Sequence, residues 1–421
     1  MRRNGFSILE TVVGMALLLT VTGVAIALVD PGRASFATQS ESVDMQQRLR
    51  VAAGVLYKDL VMAGAGADRS ANRGSLSHYF APILPYRHGT NQDDPAGTFK
   101  TDTVTVMYVP TTVAQTTLAT GATGASGAAF VTASSGPGEV AADISVNSDP
   151  GCPSGDAACG FKSGMAALLF DGSGDYDTFT ITNVHSNVLH VERPGGSLTS
   201  ASYQPNTTTI VQLASIVYYL KSDASTGTYQ LMSREGGTGA DVPIVDHLVT
   251  LEFSYYGDPR PPLLIRPSSD LAGPWTTYGP PPPALRQRIP TGGYPAGENC
   301  TFMIDPISGL QVPRLADIVS GVSGASGGSG GEADALVRLT SAQLTDGPWC
   351  PDGLSANRWD ADLLRVRRIG VTLRVESAIA ALRGPAGVLF ARGGTSKSGD
   401  KWLPDQQVTF SVSPRNLNFD R

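Results

Sequence analysis

A single carboxylate, Glu10, lies inside the most apolar stretch of the sequence, because residues 6–29 are otherwise almost wholly apolar. Placing a carboxylate in such a span costs about 2.5–3.5 kcal/mol on insertion scales, so a charged residue there predicts a functional role. A carboxylate can form an ion pair with an amine, and such compensation makes its burial tolerable. The alternative is that Glu10 extends to the membrane surface, only a few residues away.

Oxygen-bearing side chains alternate in one short segment, at Asp171, Ser173, Asp175 and Asp177. Alternating oxygen ligands are typical of calcium loops, but this segment lacks the EF-hand spacing and the terminal glutamate. It also lies between two strand-like runs, where Asp, Gly and Ser form ordinary turns. We therefore favour a turn, with calcium as the alternative, and expect no other cofactor.

Signatures of hydrolytic enzymes are weak in this sequence. Two G-x-S-x-G matches, around Ser326 and Ser329, fall in a Ser/Gly-rich segment. A nucleophile elbow requires a strand before the serine and a helix after it, and neither is indicated here. The 5 histidines show no metal-binding spacing. The sequence therefore predicts that the protein is not an enzyme.

Four arginines cluster near the C-terminus, at Arg365, Arg367, Arg368 and Arg374. By the alternation of side chains along a strand, Arg365 and Arg367 would share one face. A basic stripe could bind nucleic acid, but the formal net charge of −6 gives no global reason for it. We favour a solvated strand face that protects a sheet edge, and we expect no nucleic-acid partner.

The 4 cysteines, Cys152, Cys159, Cys300 and Cys350, allow three pairings. If the chain is exported, we favour Cys152 with Cys159 and Cys300 with Cys350, because these bonds need only local closure. Four free thiols in a cytosolic protein are the alternative, but the N-terminal sequence favours export.

Two helical segments precede any strand. Residues 6–29 exceed the roughly 20 apolar residues needed to cross a bilayer, and the positive flank Arg2 and Arg3 predicts a cytoplasmic N-terminus. No small-residue cleavage site of a secretory signal peptide follows the apolar run. Residues 30–65 continue as an amphipathic helix. Its apolar stripe recurs every three or four positions: Met45, Leu49, Ala52 or Ala53, Leu56 and Leu60.

The remaining residues, 66–421, predict a β-rich, mainly antiparallel head with large loop insertions, which makes the fold class α+β. Strand-like runs recur at residues 102–109, 165–170, 177–184, 188–193, 215–222, 228–235, 248–257, 364–377 and 407–414. Residues 111–149, 260–297 and 321–331 are predicted to be irregular. The head forms one unit, or two lobes that divide near residue 257.

The segment Gly5-Phe6-Ser7-Ile8-Leu9-Glu10 resembles the processing site of type III signal sequences, found in type IV pilins and type II secretion pseudopilins. The resemblance implies a leader of residues 1–5, cleavage after Gly5 by a prepilin peptidase, and N-methylation of Phe6. It also implies a role in assembly for Glu10, whose carboxylate can pair with the Phe6 amine of a neighbouring subunit. Residues 6–29 then form the transmembrane assembly helix.

Two parts of the head resemble PilW-type minor pilins: residues 216–257, and residues 364–377 with 407–418, including Arg415 and Asn416. The resemblance implies a low-abundance subunit at or near the pilus tip, which helps to start assembly and supports adhesion or motility. Its partners would be other pilins, through the N-terminal helix, and a tip adhesin. Before assembly it would be a single-pass inner-membrane protein with an extracytoplasmic head; after assembly it would lie in the pilus.

Two alternatives stay open. A J-type minor pseudopilin of type II secretion shares every N-terminal feature described above. A membrane-anchored exported binding protein or enzyme would also explain the apolar run, but it gives no reason for Glu10 to follow Gly5 and Phe6.

Overall fold

The computed structural model describes residues 7–86, 103–120, 130–133, 139–172, 174–194, 203–223, 228–236, 240–261, 295, 298–318, 336–340, 342–344, 346–351, 358–397 and 402–418. These residues form one N-terminal helix followed by a β-rich, largely antiparallel chain. The α+β class is therefore confirmed.

Helix α1 (Ile8–Met62) is continuous over 55 residues. Its first part, Ile8–Ile26, is long and apolar enough to cross a membrane, by length and composition. In its second part the predicted apolar stripe is confirmed, because the members of the stripe are all buried: Met45, Leu49, Ala52, Leu56 and Leu60. The helix thus changes along its length from a uniformly apolar rod to an amphipathic one.

Helix α1 ends at a glycine turn. Gly64 has a φ of +76°, a left-handed conformation that glycine adopts without steric cost and that commonly terminates helices. The Gly64 N–H donates to the Met107 carbonyl at 3.0 Å. A Cβ at this position would lie 2.7 Å from Leu417 Cδ2, so the close packing also requires glycine.

Twenty strands follow the helix in the described ranges. They are β1 (Ile83–Leu84), β2 (Val104–Tyr108), β3 (Gln115–Thr117), β4 (Phe130–Ala133), β5 (Glu139–Ser145), β6 (Ala166–Phe170), β7 (Tyr176–His185), β8 (Val188–Pro194), β9 (Thr209–Gln212), β10 (Ala214–Asp223), β11 (Thr228–Glu235), β12 (Asp241–Asp246), β13 (Leu248–Gly257), β14 (Phe302–Ile304), β15 (Gln311–Pro313), β16 (Val337–Leu339), β17 (Trp349–Pro351), β18 (Arg358–Asp360), β19 (Val366–Val375) and β20 (Gln406–Val412).

The strands form three larger sheets and two small ribbons. The five-stranded sheet has the order β1-β2-β10-β11-β12, the seven-stranded sheet β3-β9-β6-β7-β8-β5-β4, and the four-stranded sheet β16-β13-β19-β20. The pairs β14-β15 and β17-β18 form the ribbons. Every pairing in the five- and seven-stranded sheets is antiparallel. Each strand-like run of the sequence overlaps one of these strands.

Residues 111–149 contradict the prediction of irregular chain, because β3, β4 and β5 lie there. Their β-branched Thr, Val and Ile side chains favour strands. Pairing partners far along the sequence complete the structure, since β5 pairs with β8 along its whole length. The apolar face of β5 contributes Ala142 and Ile144 to the buried core of the seven-stranded sheet. The Thr/Ala/Gly/Ser-rich composition of residues 111–149 therefore led to a wrong prediction of irregular chain where β3, β4 and β5 form.

The chain divides into two compact units. Unit 1 comprises Met1–Val51 with Arg374–Gln407, and unit 2 comprises Ala52–Leu373 with Val408–Arg421. Residues on both sides of Gly257 belong to unit 2, and a division of the head into two lobes near residue 257 stays a prediction. The boundaries fall inside α1, β19 and β20.

Candidate functional site

The N-terminus of helix α1 is closed by a reciprocal pair of hydrogen bonds between Ser7 and Glu10. The Ser7 N–H donates to Glu10 Oε2 at 3.0 Å, and the Glu10 N–H donates to Ser7 Oγ at 3.2 Å. This is a capping box, which satisfies two of the amide donors left free at a helix start. The carboxylate also lies at the positive end of the helix dipole. Glu10 is exposed, while Gly5 and Phe6 lie outside the described residues.

The span Ile8–Ile26 has no part buried against the rest of the described chain. Its threonine hydroxyls donate to carbonyls of the preceding helical turn: Thr11 to Ser7, Thr20 to Ala16 and Thr22 to Leu18, at 3.1, 3.1 and 2.7 Å. The backbone N–H and C=O groups of the span are likewise hydrogen-bonded within the helix. Glu10 is therefore the one charged group on an otherwise apolar, internally satisfied surface.

Near the other end of α1, Asp59 anchors the helix to the five-stranded sheet. The carboxylate accepts a hydrogen bond from the Tyr108 hydroxyl at 3.0 Å and a second one from the Tyr218 hydroxyl. Burial, followed by the neighbouring Asp59, raises the pKa of both phenols above the usual range. Both tyrosines therefore stay protonated and act as donors. The role of Asp59 was not predicted from the sequence, although a carboxylate beside Leu56 and Leu60 on the apolar stripe was a usable signal.

Both disulfides join the cysteines that the sequence analysis paired. Cys152 is bonded to Cys159 with a Cα–Cα distance of 4.5 Å, and Cys300 to Cys350 with a Cα–Cα distance of 5.1 Å. The first bond closes a local loop, and the second joins the segment just before β14 to β17. Disulfides form and persist mainly in oxidising compartments.

Of the alternating oxygen ligands, Asp171 and Asp175 lie between β6 and β7, whereas Asp177 lies in β7. The Asp175 N–H donates to Asp171 Oδ1 at 3.3 Å, which holds the turn closed. Asp177 is fully buried, and its Oδ2 accepts a hydrogen bond from the Tyr203 hydroxyl at 2.7 Å. Ser173 lies outside the described residues. Turn formation thus accounts for Asp171 and Asp175, while calcium binding stays a prediction.

The prediction of a solvated arginine face is wrong for Arg365, which is 1% exposed. This residue closes the 3-10 turn Ala361–Arg365 instead of lying on the strand that follows. Its guanidinium pairs with Asp362 and donates to the carbonyls of Pro259 at 2.7 Å and Ala316 at 2.8 Å. A planar guanidinium can satisfy several acceptors at once, and therefore it can be buried.

The other arginines of the cluster are also engaged with the protein. The Arg368 guanidinium lies 4.5 Å from the ring centroid of Tyr256, within cation–π range. Arg374 pairs with the buried carboxylate of Asp405 at 2.9 Å, and Arg367 donates to the Leu364 carbonyl. Strand β19 lies between β13 and β20, so these side chains do not protect a sheet edge.

Three carboxylates, those of Asp346, Asp360 and Asp362, offer oxygens within 4.8 Å of one another. The chain itself occupies two of them: Asp360 accepts the N–H groups of Asp362 and Gly347, and Asp362 pairs with Arg365. Burial raises the pKa of Asp362 to about 6, against the opposing effect of Arg365. Burial and the charge of Asp362 raise the pKa of Asp360 well above its usual range.

This acidic group predicts that stability falls as pH rises. A carboxyl whose pKa is higher in the folded state binds its proton more tightly there, so its contribution is lost between about pH 4 and pH 6. For Asp362 alone we expect the free energy of unfolding to drop by about 1 kcal/mol from pH 5 to pH 7. Urea unfolding at both pH values measures this difference.

The variant Asp346→Asn provides the comparison. The negative charge of Asp346 contributes to the raised pKa of both buried carboxyls, so its removal should make the decline between pH 5 and pH 7 shallower. An identical decline in the variant and the parent protein would contradict the coupling.

Comparison with protein-family models, curated proteins and solved structures finds no match.

Proposed function

We propose that this chain is a type IV prepilin-like subunit, most similar to PilW-type minor pilins, that acts at or near the tip of the filament. The observation that carries the proposal is the two-part helix α1. Its first part, Ile8–Ile26, is apolar and has no covering within the described chain, whereas its second part is buried along the stripe from Met45 to Leu60. Such a helix suits a subunit that is held first by lipid and then by neighbouring helices.

Glu10 gives the helix its specificity. A plain membrane anchor gains nothing from a carboxylate at this depth, where the insertion cost is about 2.5–3.5 kcal/mol. After cleavage behind Gly5, the new α-amino group of Phe6 would supply a matching positive charge on a neighbouring subunit. The exposure of Glu10 and its position at the helix start leave the carboxylate accessible to such a partner.

The disulfides Cys152–Cys159 and Cys300–Cys350 support an extracytoplasmic position for the β-rich chain, since such bonds are rare in the cytosol. The positive flank Arg2 and Arg3 supports the same orientation, with the N-terminus in the cytoplasm. The subunit would thus be a single-pass inner-membrane protein before it enters the filament.

The size of the chain beyond the helix supports a place at the tip. A major subunit must pack its head against neighbours along the whole fibre, whereas a tip subunit has free volume above it. In this role the protein has no enzymatic activity of its own, is a substrate of the prepilin peptidase, and binds other minor and major pilins through α1. It would help to start assembly and would support adhesion or motility, directly or through a tip adhesin.

Mass spectrometry of the N-terminal peptide tests the proposal, using membranes and a sheared surface fraction. We expect a chain that begins at N-methylated Phe6 in both fractions. A methylated chain confined to membranes would favour the J-type pseudopilin of type II secretion. Retention of Met1 in cells with active prepilin peptidase would favour a membrane-anchored exported binding protein or enzyme. The variant Gly5→Ala is the control, because it should leave the leader uncut.

A further inference from the structure

A cleft of about 600 Å³ opens within unit 2, lined by the C-terminal part of α1, the five-stranded sheet and the seven-stranded sheet. Asp59 contributes from the helix, and other lining residues come from β10 and β11 of one sheet and from β6, β7 and β9 of the other. Its volume is within the range of small-molecule sites, which is about 300–1,000 Å³. Glu10 is not among the described residues that line it, so the cleft can be interpreted independently of the pilin proposal.

The cleft carries negative charge without a counter-charge. Asp59 is 6% exposed, and its hydrogen-bond donors, Tyr108 and Tyr218, are neutral hydroxyls. Glu235 lines the same cleft. Within the described part of the chain neither carboxylate forms an ion pair. A buried carboxylate is normally compensated by a cation, so the site lacks a positive group that a ligand could provide.

The register of β10 and β11 places the polar groups on one face. Ile216 is opposite Glu235, and Tyr218 is opposite Ser233. Since side chains alternate along a strand, these four residues point to the same side of the sheet. Asp59, which accepts the hydrogen bond of Tyr218, lines the cleft together with Tyr218 and Glu235, so both carboxylates open onto the same space.

The rest of the lining is apolar or neutral. Met165, Ile216 and Val242 offer carbon surface, and Thr180 and Gln212 add a hydroxyl and an amide. An ammonium group has three N–H donors and no acceptor, which matches the two carboxylates and the Tyr218 oxygen. The aliphatic residues match a carbon chain attached to that ammonium. The described lining has one aromatic ring, Tyr218, so it offers no aromatic cage for a quaternary ammonium.

We propose that this cleft binds a small organic cation, a protonated primary amine on a short aliphatic chain, through Asp59 and Glu235. The ammonium would donate to both carboxylates, and the aliphatic chain would lie against Met165, Ile216 and Val242. This activity would be a binding function of the head, additional to filament assembly.

Isothermal titration of the full-length protein in detergent tests the proposal, with n-pentylammonium as the probe. The neutral analogue 1-pentanol and the quaternary tetramethylammonium serve as comparison ligands. We expect n-pentylammonium to bind at least about tenfold more tightly than either of them, because only it satisfies both the charge and the hydrogen-bond donors of the site. Equal binding of 1-pentanol, or stronger binding of tetramethylammonium, would overturn the proposal.

Two variants locate the binding. Glu235→Gln changes an exposed residue and should weaken n-pentylammonium binding by about tenfold. Asp59→Asn should weaken it at least as much. Glu252→Gln removes an exposed carboxylate outside the cleft, so it should bind like the parent protein. If Asp59→Asn does not fold, the test rests on Glu235→Gln alone. Unchanged n-pentylammonium binding by Glu235→Gln would refute the proposal that the amine binds in this cleft.

Discussion

Replacing Glu10 by glutamine is expected to leave leader cleavage intact while nearly abolishing incorporation of the chain into filaments. Glutamine is as suitable as glutamate at this position of a capping box, so the bond to the Ser7 N–H can persist. The substitution removes only the negative charge, and with it the proposed pair with a neighbour's Phe6 amine. Leaving one member of a buried ion pair without its partner costs about 3–5 kcal/mol. That corresponds to a loss of about 100- to 4,000-fold in an assembly equilibrium.

The experiment compares the Glu10→Gln protein in membranes with the amount in a sheared surface fraction, both quantified by mass spectrometry. Ser7→Ala is the matched control, because it removes the capping hydroxyl and keeps the charge. The loss of one N-cap costs about 1 kcal/mol, so Ser7→Ala should reduce incorporation only modestly. If Glu10→Gln enters filaments like the parent protein, the charge pair is dispensable. If Ser7→Ala fails as severely, Glu10 acts by starting the helix.

The elements that follow local rules could be predicted from the sequence. The apolar stripe of α1 and the strand at Leu248–Gly257 follow periodicities of 3.6 and 2 residues. The disulfides could be anticipated because their cysteines lie at short or moderate separations of 7 and 50 residues. For the helix and the strand the signal lies in neighbouring residues, and for the cysteines it lies in the preference for the shorter of the possible loops.

The features that depend on distant partners could not be predicted. The strand β5 is stabilised by β8, which lies beyond a disulfide loop and a hairpin. Asp59 acts through Tyr218, 159 residues later in the sequence. A charged side chain gives the same local signal whether it faces water or meets three acceptors in the interior, and therefore the arginine cluster was assigned to a solvated face.

The variant Arg365→Met is expected to lower the free energy of unfolding by about 3–5 kcal/mol, the usual cost of breaking a buried ion pair. Methionine fills part of the space but leaves Asp362 without its cation. It also removes the donors to the Pro259 and Ala316 carbonyls. These carbonyls belong to segments distant in sequence from the 3-10 turn, so one side chain connects three parts of unit 2.

The nearby ion pair of Arg260 with Asp258 provides the matched control. It lies at 3.3 Å, but the Arg260 side chain is 61% exposed, and exposed pairs contribute roughly 0–1 kcal/mol. Urea unfolding of the full-length protein in detergent should therefore separate Arg365→Met clearly from Arg260→Ala. Equal losses in the two variants would show that the burial of Arg365 has no special energetic importance.

The pH dependence of the Arg365→Met deficit identifies its cause. Arg365 lowers the pKa of Asp362, in opposition to the effect of burial, so without Arg365 that pKa rises further. At about pH 5 the variant can then protonate Asp362 and avoid a buried charge, whereas at about pH 7 it must retain the charge or bind a proton at greater cost. The deficit should therefore be larger at pH 7 than at pH 5. If the difference in the free energy of unfolding between Arg365→Met and the parent protein does not change with pH, its cause is the lost hydrogen bonds to the two carbonyls and the changed packing. The unpaired carboxylate of Asp362 would then not be the cause.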